Sequence, residues 1–234
     1  MTRAPSPPTL SRKTFSLSRW RERAGVRVGT LAITLLLAAC STNPPPPDWQ
    51  SNAKSAMDTT IAAILAGDSR AETQEFDRAR TEIARTGRPD LLARAELMRC
   101  AAHVASLTLA PCDGFERLRR DAAAPERAYA DYLAARPLSR EDLEHLPAAQ
   151  RTPPSGVAGI ADPLSRLIAI AVLFQSGQAP PPLIANAVDT ASAQGWRRPL
   201  LAWLKVQSML AERAGEAGEA ERLQRRIELV QAGK

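Results

Sequence analysis

The sequence is poor in the residues on which most catalytic sites depend. Its 234 residues include two histidines, His103 and His145, and no GxSxG nucleophile elbow, HExxH zinc motif or glycine-rich phosphate loop. Neither histidine has a recognisable nucleophile beside it, and His103 alone cannot complete a metal site. The sequence therefore predicts a protein that is not an enzyme, with no catalytic residues, no metal and no cofactor. Aromatic residues make up only 4% of the chain, which disfavours a β-sheet fold.

Positive charge is present, but its excess lies at the N-terminus. The formal net charge is +6. Seven of the 31 basic residues and one of the 25 acidic residues precede Cys40, so residues 40–234 carry no net charge. No stripe of basic residues interleaved with aromatic residues remains after that point. Nucleic acid is therefore not an expected partner.

The N-terminal segment has the pattern of a signal peptide. A basic stretch at residues 19–27 precedes 12 apolar residues at 28–39. This run is shorter than the roughly 20 residues of a membrane-spanning helix and has the length of a signal-peptide core. The residues that end it and follow it, Leu37-Ala38-Ala39-Cys40, resemble the lipobox of bacterial lipoproteins.

The resemblance implies a membrane anchor. In that family a signal peptidase recognises the positions of Leu37, Ala38 and Ala39 and cleaves before a lipid-modified cysteine, here Cys40. Stable anchoring requires two or more acyl chains. Ser41, where some lipoproteins carry an aspartate, implies sorting to the periplasmic face of the outer membrane. We expect residues 1–39 to be a signal peptide. The alternative is that translation begins at a later codon, in which case about the first 25 residues are not made.

Proline and glycine organise the remaining chain. Four consecutive prolines predict an extended, semi-rigid tether at residues 40–50, ahead of a helical domain at 51–234. Abundant alanine, leucine, arginine and glutamate favour helix. Helices are expected at residues 56–65, 69–87, 89–107, 125–136, 139–146, 163–176, 181–194, 199–213 and 219–230.

The spacing of these helices predicts an all-α fold of antiparallel helix pairs. Glycines that end helices recur at steps of 18 to 20 residues, which is typical of helical-repeat proteins. The architecture is then an α-solenoid or an irregular helical bundle, and the segment from Trp203 to Leu223 weakly resembles a tetratricopeptide repeat. Residues 151–161 form a loop within one continuous helical layer or, alternatively, a hinge between two subdomains.

Cys100 and Cys112 remain as a pair once Cys40 is assigned to the anchor, in a compartment that favours disulfides. On one unbroken helix they would lie about 18 Å apart, too far to bridge. A disulfide therefore requires the third helix to stop near Leu107 and the chain to fold back at Pro111. We predict this disulfide, and the alternative is two free core cysteines.

Two other patterns carry expectations about contacts. Glu72 and Asp77 are expected to form surface ion pairs with Arg78 and Arg80 along one helix.

The segment Gly195-Trp196-Arg197-Arg198-Pro199 is a candidate partner-binding site, because tryptophan and arginine anchor many interfaces. The alternative is that Trp196 and Trp203 pack between adjacent helices.

Three functions are consistent with the sequence. The first, which we expect, is an interaction or scaffold module for an envelope protein partner. The second is an envelope enzyme or cell-wall-binding protein whose acidic residues converge only in the folded chain. A deep cleft holding a desolvated glutamate would favour this function, and a smooth convex surface would count against it. The third is a small-molecule carrier with a cavity between helices.

Overall fold

The structure, a computed structural model, describes residues 45–233. The predicted signal peptide and lipobox, with Leu37, Ala38, Ala39 and the lipidation site Cys40, lie outside the described residues and stay predictions. Within residues 45–233, no helix combines the length and the apolar composition that crossing a bilayer requires.

Helices account for most of the described chain, and no strand occurs in residues 45–233. The predicted all-α class is therefore confirmed. The ten α-helices of the described residues are α1 Asp48–Ala66, α2 Ser69–Ala84, α3 Pro89–Ala105, α4 Asp113–Glu116, α5 Ala124–Leu133, α6 Arg140–His145, α7 Pro163–Gln175, α8 Pro181–Ala193, α9 Arg197–Arg213 and α10 Ala217–Ala232. Short 3-10 helices lie at Arg119–Asp121, Ala148–Arg151 and Pro154–Gly159.

Helix boundaries follow local signals in the sequence. α1 begins at Asp48, directly after the prolines, so the helical domain starts three residues before the predicted boundary at residue 51. Gly67 ends α1 with a φ of 84°, a left-handed conformation that glycine adopts without steric strain. The Asp68 side chain then accepts hydrogen bonds from the first backbone N–H groups of α2. Ser139 starts α6 with a capping box, in which its side chain and that of Asp142 each accept a backbone N–H of the other residue.

Helices that follow one another in the chain pack together, and α3 contacts several of them. α1 lies along α2, α9 packs between α8 and α10, and α3 contacts α1, α2, α5 and α7. The main core is built largely from α3, α7, α8 and α9, with Trp203 and Leu204 fully buried at its centre. A smaller cluster fills the space where α1, α2 and α3 meet, with Met57 and Phe76 as its largest buried side chains. Because α3 belongs to both clusters, it positions residues between them.

The segment at residues 151–161 is part of the packed structure. It contains one of the 3-10 helices, and both Val157 and Ile160 are buried in the main core. That core continues from α3 to α10 across this segment. The chain from Pro45 onward accordingly forms one compact unit.

Candidate functional site

One face of α3 brings together four chemically active side chains. Glu96, Arg99, Cys100 and His103 follow one another at helical positions i, i+3, i+4 and i+7. This spacing places them on the same side of the helix. On its other side, α3 packs into the core mainly through alanine, leucine and valine side chains.

Cys100 is joined to Cys112 by a disulfide, with the two Cα atoms 5.8 Å apart. α3 ends at Ala105, and Leu107 turns the chain back with a φ of 56°, which is uncommon for a residue with a branched side chain. The N–H of Thr108 donates to the carbonyl of His103 at 3.0 Å and closes the helix end. The predicted helix stop and the proximity of the two cysteines are therefore confirmed.

The disulfide forms part of the wall of an open cavity with a volume of about 380 Å³. This volume lies in the range of small-molecule sites. α2 contributes Arg80 to the lining, and the face of α3 described above contributes its four polar side chains. The returning chain supplies the remaining lining residues, which are Thr108, Ala110, Pro111, Cys112, Asp113, Gly114, Phe115 and Arg117.

Glu96 is a buried carboxylate in this cavity. Its exposed fraction is 8%, and it lies against the backbone of Gly114, where an added Cβ would overlap the carboxylate. Among the described residues, the Glu96 carboxylate takes part in no hydrogen bond and no ion pair, since the neighbouring Arg99 binds Glu72. Its oxygens face the open cavity, so they are available to solvent or to a ligand and mark a candidate binding position.

Glu72 on α2 is also buried, with an exposed fraction of 4%, but its partners are present. Its Oε1 accepts hydrogen bonds from Nε and Nη2 of Arg99 at 2.9 and 2.8 Å, and lies 2.8 Å from Nε2 of His103. A guanidinium nitrogen of Arg198 lies 4.0 Å from its Oε2. Burial by itself raises the pKa of Glu72, but the hydrogen bonds from Arg99 and His103 outweigh it and leave the pKa below its ordinary value.

The prediction that Glu72 forms surface ion pairs with Arg78 and Arg80 is therefore wrong. Glu72 and Phe76 lie one turn apart on the buried face of α2, so Glu72 points towards α3. Arg78 pairs instead with Glu75, at 2.9 Å. Arg80 lines the cavity.

His103 has both ring nitrogens engaged. Nε2 faces Glu72, and Nδ1 lies 3.4 Å from Nη1 of Arg198. The ring therefore links α2, α3 and α9 and has no free nitrogen to exchange a proton with a molecule in the cavity. His145 lies in α6 and lines a separate shallow groove with Met98.

The candidate partner-binding segment makes contacts inside the protein. Arg198 donates through Nη2 to Oγ of Ser69 at 3.0 Å, in addition to facing Glu72 and His103. The Nε of Arg197 donates to the Val230 carbonyl at 3.2 Å.

The two tryptophans named with this segment pack against other helices. Trp196 is half-buried against the main core. Trp203 is fully buried and donates its indole N–H to the carbonyl of Ala105 at 3.1 Å. The structure thus gives this region a role in joining α9 to the rest of the domain.

The fold and site together define an all-α domain with a polar, disulfide-walled cavity. Within residues 45–233, no group of three or more histidine, cysteine or acidic side chains is placed to hold a metal ion. Comparison of the chain with protein-family models, curated proteins and solved structures gives no match.

Sequence reasoning missed the cavity, although one signal for it was present. The positions of Glu96, Arg99, Cys100 and His103 form a polar stripe along a helix that is otherwise rich in alanine and leucine. Such a stripe indicates a face that the core does not cover. The arginines that complete the cavity come from α2 and from the chain after Cys112, and no local pattern links them to α3.

Proposed function

We propose that this chain is a lipid-anchored protein of the bacterial cell envelope whose helical domain binds a small ligand in the cavity beside the disulfide. The observation that carries the binding part is Glu96, a buried carboxylate that lines an open cavity and lacks a bonding partner among the described residues. A carboxylate that faces an open cavity without a protein partner is available to a ligand. A ligand that donates to Glu96 would complete its hydrogen bonding.

The lipobox-like residues and the prolines support the anchor. Pro47 has φ −55° and ψ 146°, close to polyproline geometry, and α1 begins immediately after it. Seven residues of polyproline helix, the number between Cys40 and α1, span about 22 Å at about 3.1 Å per residue. The cavity would then lie near the membrane surface, with access to molecules of the periplasm or the cell wall.

The interaction module expected from the sequence is a second candidate, and one observation favours it. Met98 lies on the side of α3 away from the cavity, is 40% exposed, and lines two adjoining shallow grooves together with Arg94. An exposed methionine between apolar grooves suits contact with another protein. A photo-crosslinking amino acid in place of Met98 tests this role: a discrete crosslinked envelope protein supports it, and its absence removes this candidate.

The anchor is tested by the intact mass of the protein from the membrane fraction. We expect residues 40–234 plus acyl chains, with two thiols that appear only after reduction. Cys40→Ala should abolish the acyl mass, whereas Ser41→Ala, at the neighbouring position, should keep it. An unacylated wild-type product would overturn the anchor.

The binding function is tested on the same detergent-solubilised full-length protein. Ligand libraries of several charge classes are passed over it, and retained compounds are identified by mass. A compound that wild type retains more strongly than Glu96→Gln supports the proposal. Retention of nothing, or equal retention by both proteins, contradicts it. Glu141→Gln, which changes an exposed glutamate outside the cavity, is the matched control.

A further inference from the structure

The charges that line the cavity define the class of ligand. We propose that the cavity binds a zwitterion, namely an amino acid or short peptide whose free ammonium group contacts Glu96 and whose carboxylate contacts Arg80 and Arg117. This inference rests on the proposed ligand-binding function and adds the chemistry of the ligand.

The carboxylate of Glu96 favours a cationic donor. An ionised Glu96 has only acceptor positions, and no donor among the described residues occupies them. The nearest guanidinium on the same helix face, that of Arg99, is committed to Glu72 through two nitrogens. An ammonium group supplies several donors and a compensating charge at one point, and charge-assisted hydrogen bonds are the strongest available.

Two arginines of the cavity lining favour an anion. Arg80 and Arg117 are exposed side chains from different parts of the chain, one from α2 and one from the chain after α4. Within the described chain, neither guanidinium forms an ion pair. A guanidinium group matches a carboxylate through two parallel hydrogen bonds, so an anionic end at this position would be held by geometry as well as charge.

The sum of these charges favours a zwitterion over a simple anion or cation. Arg99 is balanced by Glu72, which leaves the guanidinium groups of Arg80 and Arg117 against the carboxylates of Glu96 and Asp113. A phosphate would be repelled by the two carboxylates, and a polyamine by the two guanidinium groups. A molecule with one positive group, one negative group and no net charge complements both the carboxylates and the guanidinium groups.

The size of the cavity sets the length of the ligand. About 380 Å³ corresponds to roughly a dozen water volumes of about 30 Å³ each. This volume accommodates an amino acid or a dipeptide. Because the cavity is open on one side, further residues of a longer peptide would extend into solvent.

The experiment uses a library of unmodified dipeptides and its N-acetylated and C-amidated counterparts on the solubilised full-length protein. We expect wild type to retain at least one unmodified dipeptide. The two blocked forms of that dipeptide should bind at least roughly tenfold more weakly, because each leaves a charged group of the site unpaired.

Variants test which residue binds the amine of the ligand and which binds its carboxylate. Glu96→Gln should remove the preference for the free amine over the acetylated form and keep the preference for the free carboxylate. Arg117→Gln should do the reverse. Arg120→Gln, an exposed arginine outside the cavity, should leave both preferences intact. Thermal unfolding of each variant establishes that a lost preference does not come from a lost fold.

The outcomes separate this inference from the proposed function. If wild type retains no dipeptide but retains inorganic phosphate or a neutral compound in a manner that depends on Glu96, the zwitterion is wrong and ligand binding stands. If blocked and free dipeptides bind equally, the zwitterion is also wrong. If no compound of any class is retained, both proposals fail.

Discussion

Glu72 and Glu96 are buried glutamates on adjacent helices, and Glu96 shares the face of α3 that carries the partners of Glu72, Arg99 and His103. Glu72 receives hydrogen bonds or close contacts from Arg99, His103 and Arg198. Glu96 receives none from the described chain. Arg99 and His103, the donors on this face of α3, therefore bind Glu72. The carboxylate of Glu96 is left for a donor from a ligand.

The two regions also differ in what closes them. The region around Glu72 is covered by α9, from which Arg198 reaches the side chains of Ser69 and His103. The region around Glu96 is bounded by the chain that returns after α3, where α4 has only four residues. That chain is fixed by the disulfide rather than by a long helix. We therefore regard the Glu72 region as a structural contact and the Glu96 region as a binding site.

Removal of the disulfide should give the largest effect on the open region. Its two cysteines are 12 residues apart, and closing a loop of this length stabilises a protein by about 3 kcal/mol. Cys100→Ala combined with Cys112→Ala should lower the free energy of unfolding by that amount and abolish retention of the ligand, as measured by chemical denaturation and by the dipeptide assay.

Reduction of the wild type should reproduce this loss, while reductant should leave the double variant unchanged. A double variant that keeps full ligand retention would show that the disulfide does not shape the cavity.

Glu72→Gln should produce the next largest effect, on the closed region. Removing one partner of a fully buried ion pair costs about 3–5 kcal/mol. Arg99 keeps about a third of its side-chain exposure, so we expect a loss of about 2–3 kcal/mol in chemical denaturation. Glu75→Gln, on the same helix, should cost less than about 1 kcal/mol because its partner Arg78 is exposed. If the two variants lost the same free energy of unfolding, Glu72 would contribute no more to stability than the surface pair of Glu75 and Arg78.

Much of the fold could be predicted because its signals are local. α7 was predicted at residues 163–176 and occupies Pro163–Gln175, since Asp162 and Pro163 start it and Gly177 follows it. The disulfide could be predicted for a similar reason, because Pro111 and the length of a helix decide whether the two cysteines meet.

The candidate site could not be predicted in this way. Arg99 and His103 lie 27 and 31 residues from Glu72, and reasoning from neighbours along one helix selected Arg78 instead. Whether Glu96 has a partner depends on where the chain after Cys112 returns to α3. That path is set by tertiary packing, which spacing along the sequence does not reveal.

Acid should weaken the closed region selectively. The pKa of Glu72 in the folded protein lies below its ordinary value of 4.5. Its ionised form therefore adds stability at pH values above the ordinary value, and this stability is lost as the pH falls through the folded-state pKa.

The free energy of unfolding of wild type and Glu72→Gln, measured from about pH 6 to about pH 3, should converge as the pH falls. Glu141→Gln should follow the wild-type curve. If the difference in the free energy of unfolding between wild type and Glu72→Gln stayed constant over this range, the ionised form of Glu72 would not be the source of this stability.

Glu96→Gln should have a smaller effect of opposite sign. The substitution removes a charge that lacks a bonding partner among the described residues, so the free energy of unfolding should rise by about 0.5–1 kcal/mol while ligand retention weakens. Chemical denaturation without ligand measures the first effect, and the dipeptide assay measures the second. A destabilisation as large as that of Glu72→Gln would mean that Glu96 is a structural residue like Glu72.

Gly114→Ala should change stability least and still affect the site. The added methyl group would meet the carboxylate of Glu96, which can swing into the cavity, and the helix preference of alanine offsets much of the cost. We expect less than about 0.5 kcal/mol of change in unfolding and a clear loss of ligand retention.

Gly218→Ala in α10, where the methyl group meets no neighbouring atom, should instead raise stability by up to about 1 kcal/mol and leave retention unchanged. In a Glu96→Ala background, Gly114→Ala should gain the same helix-preference energy as Gly218→Ala, because the carboxylate is gone. If Gly114→Ala has the same effect with and without Glu96, the carboxylate does not rest against Gly114, and the difference between the two glutamates would need another explanation.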